Sequence, residues 1–254
     1  MKILLLDVET APKLAYVWGL WKQNVAASTQ LVSDTFLLTW SAKWYGKKKV
    51  YGEKLTSGEV ILEDDSRICT MLHELMDEAD VVVGHNGDRF DIPTINSRFV
   101  LNGMQPPSPY KSIDTLKIAK KHFKFTSNRL DYIGDILGVG RKIDTGGFNL
   151  WKRCMHGETK ALTEMLKYNK QDVVLLEKVY DKLRPYCSAH PNHNLFSSDS
   201  VCPKCGSKHL QARGTAVTSI GRFQRFQCQD CGGWSRGRQN LREADEMKNT
   251  LLSI

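Results

Sequence analysis

Two acidic residues near the start of the chain have the spacing of a cation site. Asp7 and Glu9 follow a run of apolar residues, and on a strand this spacing puts both carboxylates on one face, about 6–7 Å apart. Two carboxylates at the end of an apolar strand repel each other and lose hydration. A divalent cation between them removes both penalties, whereas a loop with two solvated acids is the alternative.

Asp172 is a carboxylate on a helical face that should be buried. Residues at three- and four-residue steps form this face: Met165, Tyr168, Asp172, Leu176, Val179 and Leu183. Asp172 is its only charged member, and a buried unpaired carboxylate costs several kcal/mol or shifts its pKa. We therefore expect Asp172 to face a cation, with Tyr168 one turn away. A salt bridge or a helix cap is the alternative.

A third acidic position lies in the stretch VVVGHNGDRFDIP, which begins at Val81. An apolar strand is followed here by a turn that contains Asp88 and Asp91. Asp91 precedes a predicted helix, so capping is its alternative role, and Asp88 is the alternative acid. Functional groups of open α/β sheets gather at the carboxyl ends of strands. This turn and the pair Asp7 and Glu9 both lie at such ends.

These residues must be positioned by an α/β framework. Predicted strands are 2–7, 36–44, 48–53, 80–84 and 112–114, with the second and third forming a hairpin. Predicted helices are 66–78, 92–101, 115–123, 128–137 and 158–183. Because strands come first and then alternate with helices, we expect an α/β layer fold with a mixed sheet.

The three acidic motifs together resemble one known family. Asp7-x-Glu9, Asn86-x-x-x-Phe90-Asp91 and Tyr168-x-x-x-Asp172 resemble the three exonuclease motifs of the DEDD superfamily, Tyr variant. Residues 1–183 are similar to the proofreading exonuclease domain of B-family DNA polymerases, and SIDTLKIAKK and SNRLDYIGDILGVG resemble its stretches between the second and third motifs. The resemblance implies an RNase H-like fold, a five-stranded mixed sheet flanked by helices.

The resemblance also implies roles for individual residues. Metal-linked roles fall to Asp7, Glu9, Asp91 and Asp172, which would hold two Mg²⁺ or Mn²⁺ ions. Tyr168 would position the attacking water. The implied activity is 3′–5′ exonuclease cleavage of single-stranded DNA.

Other residues of these motifs are candidates for substrate contact or for the second-motif acid. Asn86 and Phe90 are candidate substrate contacts, and Asp88 and Asp114 compete with Asp91. The segment WGLWKQN, residues 18–24, either stacks on bases or consists of packing residues. Two other functions stay open: a non-catalytic nucleic-acid-binding or replication adaptor, and a nuclease for RNA or for branched or internal sites.

The C-terminal part contains a four-cysteine pattern. Two C-x-x-C-G units, separated by 22 residues, supply Cys202, Cys205, Cys228 and Cys231. Four thiolates in two tight turns match one structural Zn²⁺ ion, and a glycine after each unit permits unusual dihedral angles. The pattern resembles a zinc ribbon over residues 201–240, preceded by a linker at 184–200 and followed by a helix or tail at 241–254. Disulfides or free thiols are the alternative.

The charge of the chain favours an anionic partner. The 254 residues carry a formal net charge of +8, which suggests nucleic acid. The resemblance to the exonuclease domain of DNA polymerases implies DNA before RNA. Arg222, Phe223 and Arg225 read as a strand that contacts nucleic acid, with an idle basic surface or a protein-docking module as the alternative. Replication or repair proteins are further candidate partners.

No apolar run approaches the roughly 20 residues that a membrane span needs. The start, MKILLLDVET, reads as a strand rather than as a signal peptide. The expected location is therefore the cytoplasm. The resemblance to stand-alone exonucleases with a zinc-ribbon tail implies a bacterial or phage-infected cell.

Overall fold

The computed structural model describes residues 1–142, 146–248 and 250–252. They form two compact units, Lys2–Val179 and a second unit from Tyr180 onward together with Met1. No helix among these residues combines the length and the apolar character that crossing a lipid bilayer requires.

The first unit is built on a five-stranded mixed sheet. The described residues of this unit contain seven strands, which are β1 (Ile3–Thr10), β2 (Leu14–Ala15), β3 (Leu31–Ser33), β4 (Leu37–Trp44), β5 (Val50–Lys54), β6 (Val81–Gly84) and β7 (Lys111–Asp114). The main sheet has the order β5-β4-β1-β6-β7, while β2 and β3 pair only with each other. β4 is antiparallel to β1 and to β5, and β1, β6 and β7 are parallel. The predicted mixed sheet is confirmed.

Among the described residues, seven helices follow or connect these strands. They are α1 (Ser57–Leu62), α2 (Ser66–Asp77), α3 (Asp91–Leu101), α4 (Thr115–His122), α5 (Leu130–Ile136), α6 (Asn149–Met155) and α7 (Thr159–Leu183). The predicted helices are present, but α1, α6 and the β2–β3 pair were not predicted. α1 did carry a sequence signal, because Thr56 and Glu59 form a capping box in which each side chain accepts from the other's backbone N–H.

β1 is the central strand of the main sheet, and its residues are covered on both faces. Ile3, Leu4, Leu5 and Leu6 are at most 3% exposed, as expected for a strand with a continuous apolar run. Leu4 and Leu6 share one core with Met165 of α7. This packing holds the end of β1 and the middle of α7 close to each other.

Asp65 is a fully buried acid that ties three elements together. Its carboxylate accepts hydrogen bonds from the Leu37 N–H at 2.9 Å and the Asn102 side chain at 2.8 Å. The Arg98 guanidinium donates two more, from Nε at 2.7 Å and from Nη2 at 2.9 Å. Asp65 thereby joins the start of β4 and the helix α3 to the N-terminal end of α2, and its charge is fully matched.

The second unit contains the cysteine pattern. It comprises β8 (Leu210–Val217), β9 (Arg222–Cys228), β10 (Trp234–Asn240) and the helix α8 (Ala244–Lys248). The strands form an antiparallel sheet in the order β10-β9-β8. Together with the four-cysteine cluster this is a zinc-ribbon fold, as predicted.

The segments that flank the ribbon also have local structure. Residues 184–200, predicted as a linker, contain two 3₁₀ turns, Arg184–Tyr186 and His193–Phe196. The Asn194 side chain bonds to both backbone groups of Val201, so this segment is fastened to the start of the ribbon. The tail predicted at 241–254 includes α8, and residues 249, 253 and 254 lie outside the described residues.

Replacing Asp65 by alanine is expected to lower the free energy of unfolding by about 3–5 kcal/mol, since the Arg98 charge would stay partly buried without a partner. Chemical denaturation followed by circular dichroism measures the change. Glu74→Ala, on the exposed side of α2, is the control and should stay within about 0.5 kcal/mol of the parent. Equal stability of the two variants would contradict the assignment of Asp65 as a structural anchor.

Candidate active site

The structure brings three of the predicted acids into one group. Each of Asp7, Glu9 and Asp172 offers a carboxylate oxygen, and these oxygens all lie within 4.8 Å of one another. Asp7 and Glu9 come from β1 and share one face of the strand, whereas Asp172 comes from α7. Oxygens that share one octahedral Mg²⁺ ion stand about 3–4 Å apart, so the group fits a hard divalent cation after a small contraction.

Asp91 lies next to this group, at the beginning of α3. Its side chain is buried, and Oδ1 accepts a hydrogen bond from the Val8 N–H at 3.1 Å. Val8 stands between Asp7 and Glu9 in β1, so Asp91 is fastened to the strand that carries both. The bond to β1 goes beyond the helix cap that the sequence left open as an alternative.

The two competing acids have other partners. Asp88 forms an ion pair with Lys117 at 2.6 Å and accepts from the Ser112 hydroxyl. Asp114 caps α4 through the Leu116 N–H and also accepts from the Asn86 N–H, both at 2.9 Å. Asp114 therefore stabilises the turn after β6, and the carboxylate of Asp88 is already paired with Lys117 and Ser112.

The acids of the site resist simultaneous ionisation. Burial, followed by repulsion from Asp91, Glu9 and Asp172, raises the pKa of Asp7. Burial also raises the pKa of Glu9 to about 8 and that of Asp91 to about 6. The pKa of Asp172 is raised by burial as well, although Lys142 opposes this shift. A bound cation would relieve the repulsion among these carboxylates.

Lys142 is a member of the site that sequence reasoning missed. Its ammonium group donates to Oδ2 of Asp172 and lies 3.1 Å from the Tyr168 hydroxyl. The salt bridge foreseen as an alternative for Asp172 is thus present, but it satisfies only one oxygen. Oδ1 of Asp172 is buried and, among the described residues, has no hydrogen-bond partner. An oxygen left in this state is available to a metal ion.

Tyr168 and Asn169 occupy the turn of α7 before Asp172. Burial and the nearby Asp172 raise the pKa of Tyr168 to about 12, so the phenol keeps its proton at neutral pH. Asn169 is fully buried and donates from Nδ2 to Oδ2 of Asp7 at 2.5 Å. Asn169 orients the Asp7 carboxylate, a role that no sequence pattern indicated.

A cleft of about 540 Å³ opens beside Tyr168 and Lys142. Its other lining residues include His85, Asn86, Lys120, Asn128 and Arg129. The predicted substrate contact Asn86 lies in this wall, with its backbone in the left-handed region at φ 70°. The volume is within the range of pockets that hold small organic ligands, and the nearby cations suit a phosphate group.

His85 is a fixed, neutral part of the cleft wall. Its ring bonds to the Thr115 hydroxyl at 2.9 Å and to the Asn128 carbonyl at 2.8 Å, and burial lowers its pKa. Phe90, the other predicted substrate contact in this region, is 43% exposed at the turn before α3. It is not among the residues that line the cleft.

The four predicted metal-ligating cysteines converge in the second unit. Their sulfur atoms all lie within 4.8 Å of one another, with 3.7 Å between Cys202 and Cys231 and 3.6 Å between Cys205 and Cys228. These distances exclude disulfides, whose S–S length is about 2.05 Å. They match the edge of a tetrahedron with Zn–S bonds of about 2.3 Å. Gly206 and Gly232 have positive φ values, as the C-x-x-C-G turns require.

The β9–β10 surface alternates cations with aromatic rings. The Arg225 guanidinium lies 4.8 Å from the Trp234 ring centroid, and that of Arg236 lies 4.1 Å from the Phe223 centroid. Strand alternation puts Phe223 and Arg225 on one face of β9 and Arg222 on the other. The predicted nucleic-acid contacts are therefore divided, and Trp234 and Arg236 join the face of Arg225.

Comparison with known proteins identifies the architecture. The RNase_H superfamily sequence model matches residues 44–184, more than half of the chain. The family B DNA polymerase from the hyperthermophilic archaeon Pyrobaculum calidifontis superposes on 72% of this chain with a TM-score of 0.54 and 15% identity. At this identity the likeness is one of fold, and the chain spans about a quarter of that polymerase's length. No curated protein matches.

Mg²⁺ is expected to raise the melting temperature more at pH 8.5 than at pH 6.0. Below its pKa of about 8 Glu9 holds a proton, which the cation must displace. The raised pKa also means that metal-free protein loses stability as pH rises from about 4.5 to 8, because the unfolded chain ionises this carboxyl more easily. A Mg²⁺ concentration of about 100 times Kd adds about 2.7 kcal/mol to the free energy of unfolding. This corresponds to a rise in melting temperature of roughly 5–10 °C.

Differential scanning fluorimetry with and without Mg²⁺ measures these shifts. Glu9→Gln should weaken the pH dependence of the Mg²⁺ effect without abolishing it, because the pKa values of Asp7 and Asp91 are also raised. Asp88→Asn, which changes an acid already paired with Lys117, should keep the full pH dependence. Equal Mg²⁺ shifts at both pH values in the parent protein would contradict the assignment.

Proposed function

The chain belongs to the RNase H superfamily, and on that premise we propose that it is a metal-dependent 3′–5′ exonuclease acting on single-stranded DNA. The observation that carries the proposal is the convergence of Asp7, Glu9 and Asp172, with Asp91 fastened beside them. The 3′–5′ polarity and the preference for DNA follow the resemblance of the three motifs to DEDD exonuclease motifs.

The acids form an all-oxygen ligand set for Mg²⁺ or Mn²⁺. In the proposal Asp7, Glu9 and Asp172 would hold one divalent ion, and Asp91 together with Asp7 would hold a second. Such ions supply an activated water and neutralise the charge that grows during phosphodiester hydrolysis. The buried, unpartnered Oδ1 of Asp172 supports this assignment.

The remaining groups of the site position the reactants. Tyr168 stays protonated, so its hydroxyl orients the attacking water without acting as a general base at neutral pH. Lys142 keeps its positive charge, because Asp172 and Asp7 raise its pKa against the effect of burial. Its ammonium group, 3.1 Å from the Tyr168 hydroxyl, is placed to attract the scissile phosphate.

The cleft next to Tyr168 is the proposed site for the terminal nucleotide. Lys120 and Arg129 supply positive charge at its wall, and Asn86 supplies hydrogen-bonding groups. Phe90, exposed at the neighbouring turn, offers a ring to an unpaired base. This arrangement suits a flexible single strand, whose end is free to leave the stack of its neighbours.

The zinc ribbon is proposed to bind nucleic acid and to contain one structural Zn²⁺ ion. Four sulfurs at tetrahedral spacing support the ion. Exposed Arg225 and Arg236, each lying over an aromatic ring, support binding to phosphates and bases. Replication or repair proteins are candidate partners of the same surface.

The decisive assay is a time course on 5′-labelled single strands with and without Mg²⁺. Stepwise shortening from the 3′ end is expected. Asp91→Asn should lower the cleavage rate at least about 100-fold, because loss of a proposed metal ligand lowers activity more than loss of a residue that only hydrogen-bonds to a ligand. Asp88→Asn is the matched control in the same turn and should stay within about threefold of the parent.

Three results would contradict the exonuclease proposal. Internal fragments would indicate an endonuclease, and shortening of RNA strands alone would indicate a ribonuclease. A parent protein that binds the strands but yields no products would be a non-catalytic adaptor.

Binding by the zinc ribbon is tested through the salt dependence of affinity. Arg225→Ala should lower the slope of log K against log salt concentration by about 0.7, the value for one phosphate contact in single strands. Fluorescence anisotropy in buffer free of Mg²⁺ and of chelators, which prevents cleavage and leaves the proposed Zn²⁺ ion in place, measures the slope. Lys248→Ala removes the same charge but at a lysine already paired with Asp245 at 2.7 Å, so its slope should equal that of the parent. Identical slopes for both variants would reject a role of Arg225.

A further inference from the structure

Residues 11–35 form a two-stranded antiparallel extension of the main sheet, here called the tryptophan ribbon. It extends the β1–β4 ladder, in which Thr10 pairs with Leu37 and the Ala11 N–H donates to the Phe36 carbonyl at 2.9 Å. The pairing of β2 with β3 continues it. The ribbon therefore leaves the sheet at the end of β1 that carries Asp7 and Glu9.

Large apolar side chains at the tip of the ribbon are exposed to an unusual degree. Trp18 is 98% exposed, Leu20 88% and Trp21 87%, whereas tryptophan is on average among the most buried residues. The sequence left open that these tryptophans are packing residues, and that alternative is wrong for the described residues. Two solvent-exposed tryptophan rings, three residues apart, point to a ligand that covers them.

Two glutamine side chains form hydrogen bonds with the backbone of the ribbon itself. Gln23 donates to the Trp21 carbonyl at 2.8 Å, and Gln30 bonds to the Ala26 N–H and the Tyr16 carbonyl. Lys22 adopts a left-handed backbone with φ 50°, which is uncommon for a residue other than glycine. The tip is thus an ordered turn whose aromatic faces are its main free contact groups.

The charge of the ribbon suits a polyanion. Residues 11–35 contain Lys13, Lys22 and Asp34, and Asp34 pairs with Lys13 at 2.9 Å, so Lys22, which follows Trp21, contributes the net charge of +1. Stacking on aromatic rings accepts any base, so two exposed rings with a cation beside them favour single strands of any sequence. The start of the ribbon at the end of β1 that carries Asp7 and Glu9 favours the substrate of that site over a docked protein or a second copy.

The ribbon is within reach of a strand bound at the acidic site. Trp18 follows Glu9 by nine residues, which span at most about 30 Å when extended. We propose that Trp18 and Trp21 form a stacking platform for the single-stranded substrate, several nucleotides from the bond that is cut. This inference rests on the proposed function for the substrate class, and it adds a second point of attachment that short substrates cannot use.

Equilibrium binding in buffer free of Mg²⁺ and of chelators tests the platform without requiring cleavage and leaves the proposed Zn²⁺ ion in place. The probe is a fluorescein-labelled oligothymidylate of about 20 nucleotides, followed by anisotropy and by quenching of tryptophan fluorescence. Trp18→Ala and Trp21→Ala should each weaken binding roughly 5- to 100-fold, as expected for the loss of one stacked base. Trp18→Phe should recover part of the affinity. Leu20→Ala is the matched control, since it removes an exposed apolar side chain that cannot stack, and should change affinity less than about twofold.

Kinetics with substrates of two lengths provide the second readout. Both tryptophan variants should raise KM for the 20-mer with kcat unchanged, and should cleave a dinucleotide like the parent. Parental affinity in both tryptophan variants would overturn the platform while leaving the exonuclease proposal intact. A parent that binds through these tryptophans but cleaves nothing would overturn the exonuclease and retain the platform.

Two further outcomes would overturn the platform. One is an equal loss of affinity in Leu20→Ala, which would indicate a general apolar contact. The other is a dimer, seen by sedimentation at micromolar concentration, that both tryptophan variants abolish, which would make a second copy the occupant.

Discussion

The carboxylates of Asp7, Glu9 and Asp172 lie so close together that their repulsion governs the chemistry of the whole site. Each offers an oxygen within 4.8 Å of the others, and burial keeps water from screening them. The fold does not let them separate, because β1 is the central strand and the core of α7 packs against it. The group must therefore take up protons or bind cations.

The chain supplies part of the required positive charge itself. Lys142 contacts Asp172 and lies near Tyr168, so the site is tolerable before any metal arrives. One ammonium group cannot neutralise four acids, however, and it leaves Oδ1 of Asp172 without a partner. This partial compensation lets the domain fold with its carboxylates already assembled, so that a metal ion would find the site formed.

The sequence predicted those features whose cause is local. Strand alternation placed Asp7 and Glu9 on one face of a strand, and helical periodicity showed that Asp172 is the only charged residue on a face that should be buried. The C-x-x-C-G spacing predicted the sulfur cluster. Most of the sheet and the long helices were equally predictable from continuous apolar runs or clear periodicity.

The features that escaped prediction depend on tertiary approach or on very short elements. Lys142 and Asn169 act through contacts with residues 30 and 162 positions away, and nothing in their own surroundings marks them. The helix α1 buries only Val60, and α6 buries only Leu150 and Cys154, so neither shows a full apolar face. Exposure of Trp18 and Trp21 was also invisible, because an apolar residue type does not reveal whether the fold covers it.

Asp65 and Asp172 show how a buried acid can be assigned to structure or to function. Both are fully buried, and both contact a basic residue. Asp65 accepts four hydrogen bonds, two at each carboxylate oxygen, and two of them come from the positively charged Arg98. Asp172 retains an oxygen with no donor among the described residues, a state that costs free energy unless a ligand ends it. A count of donors thus separates an anchor from a binding group where burial alone does not.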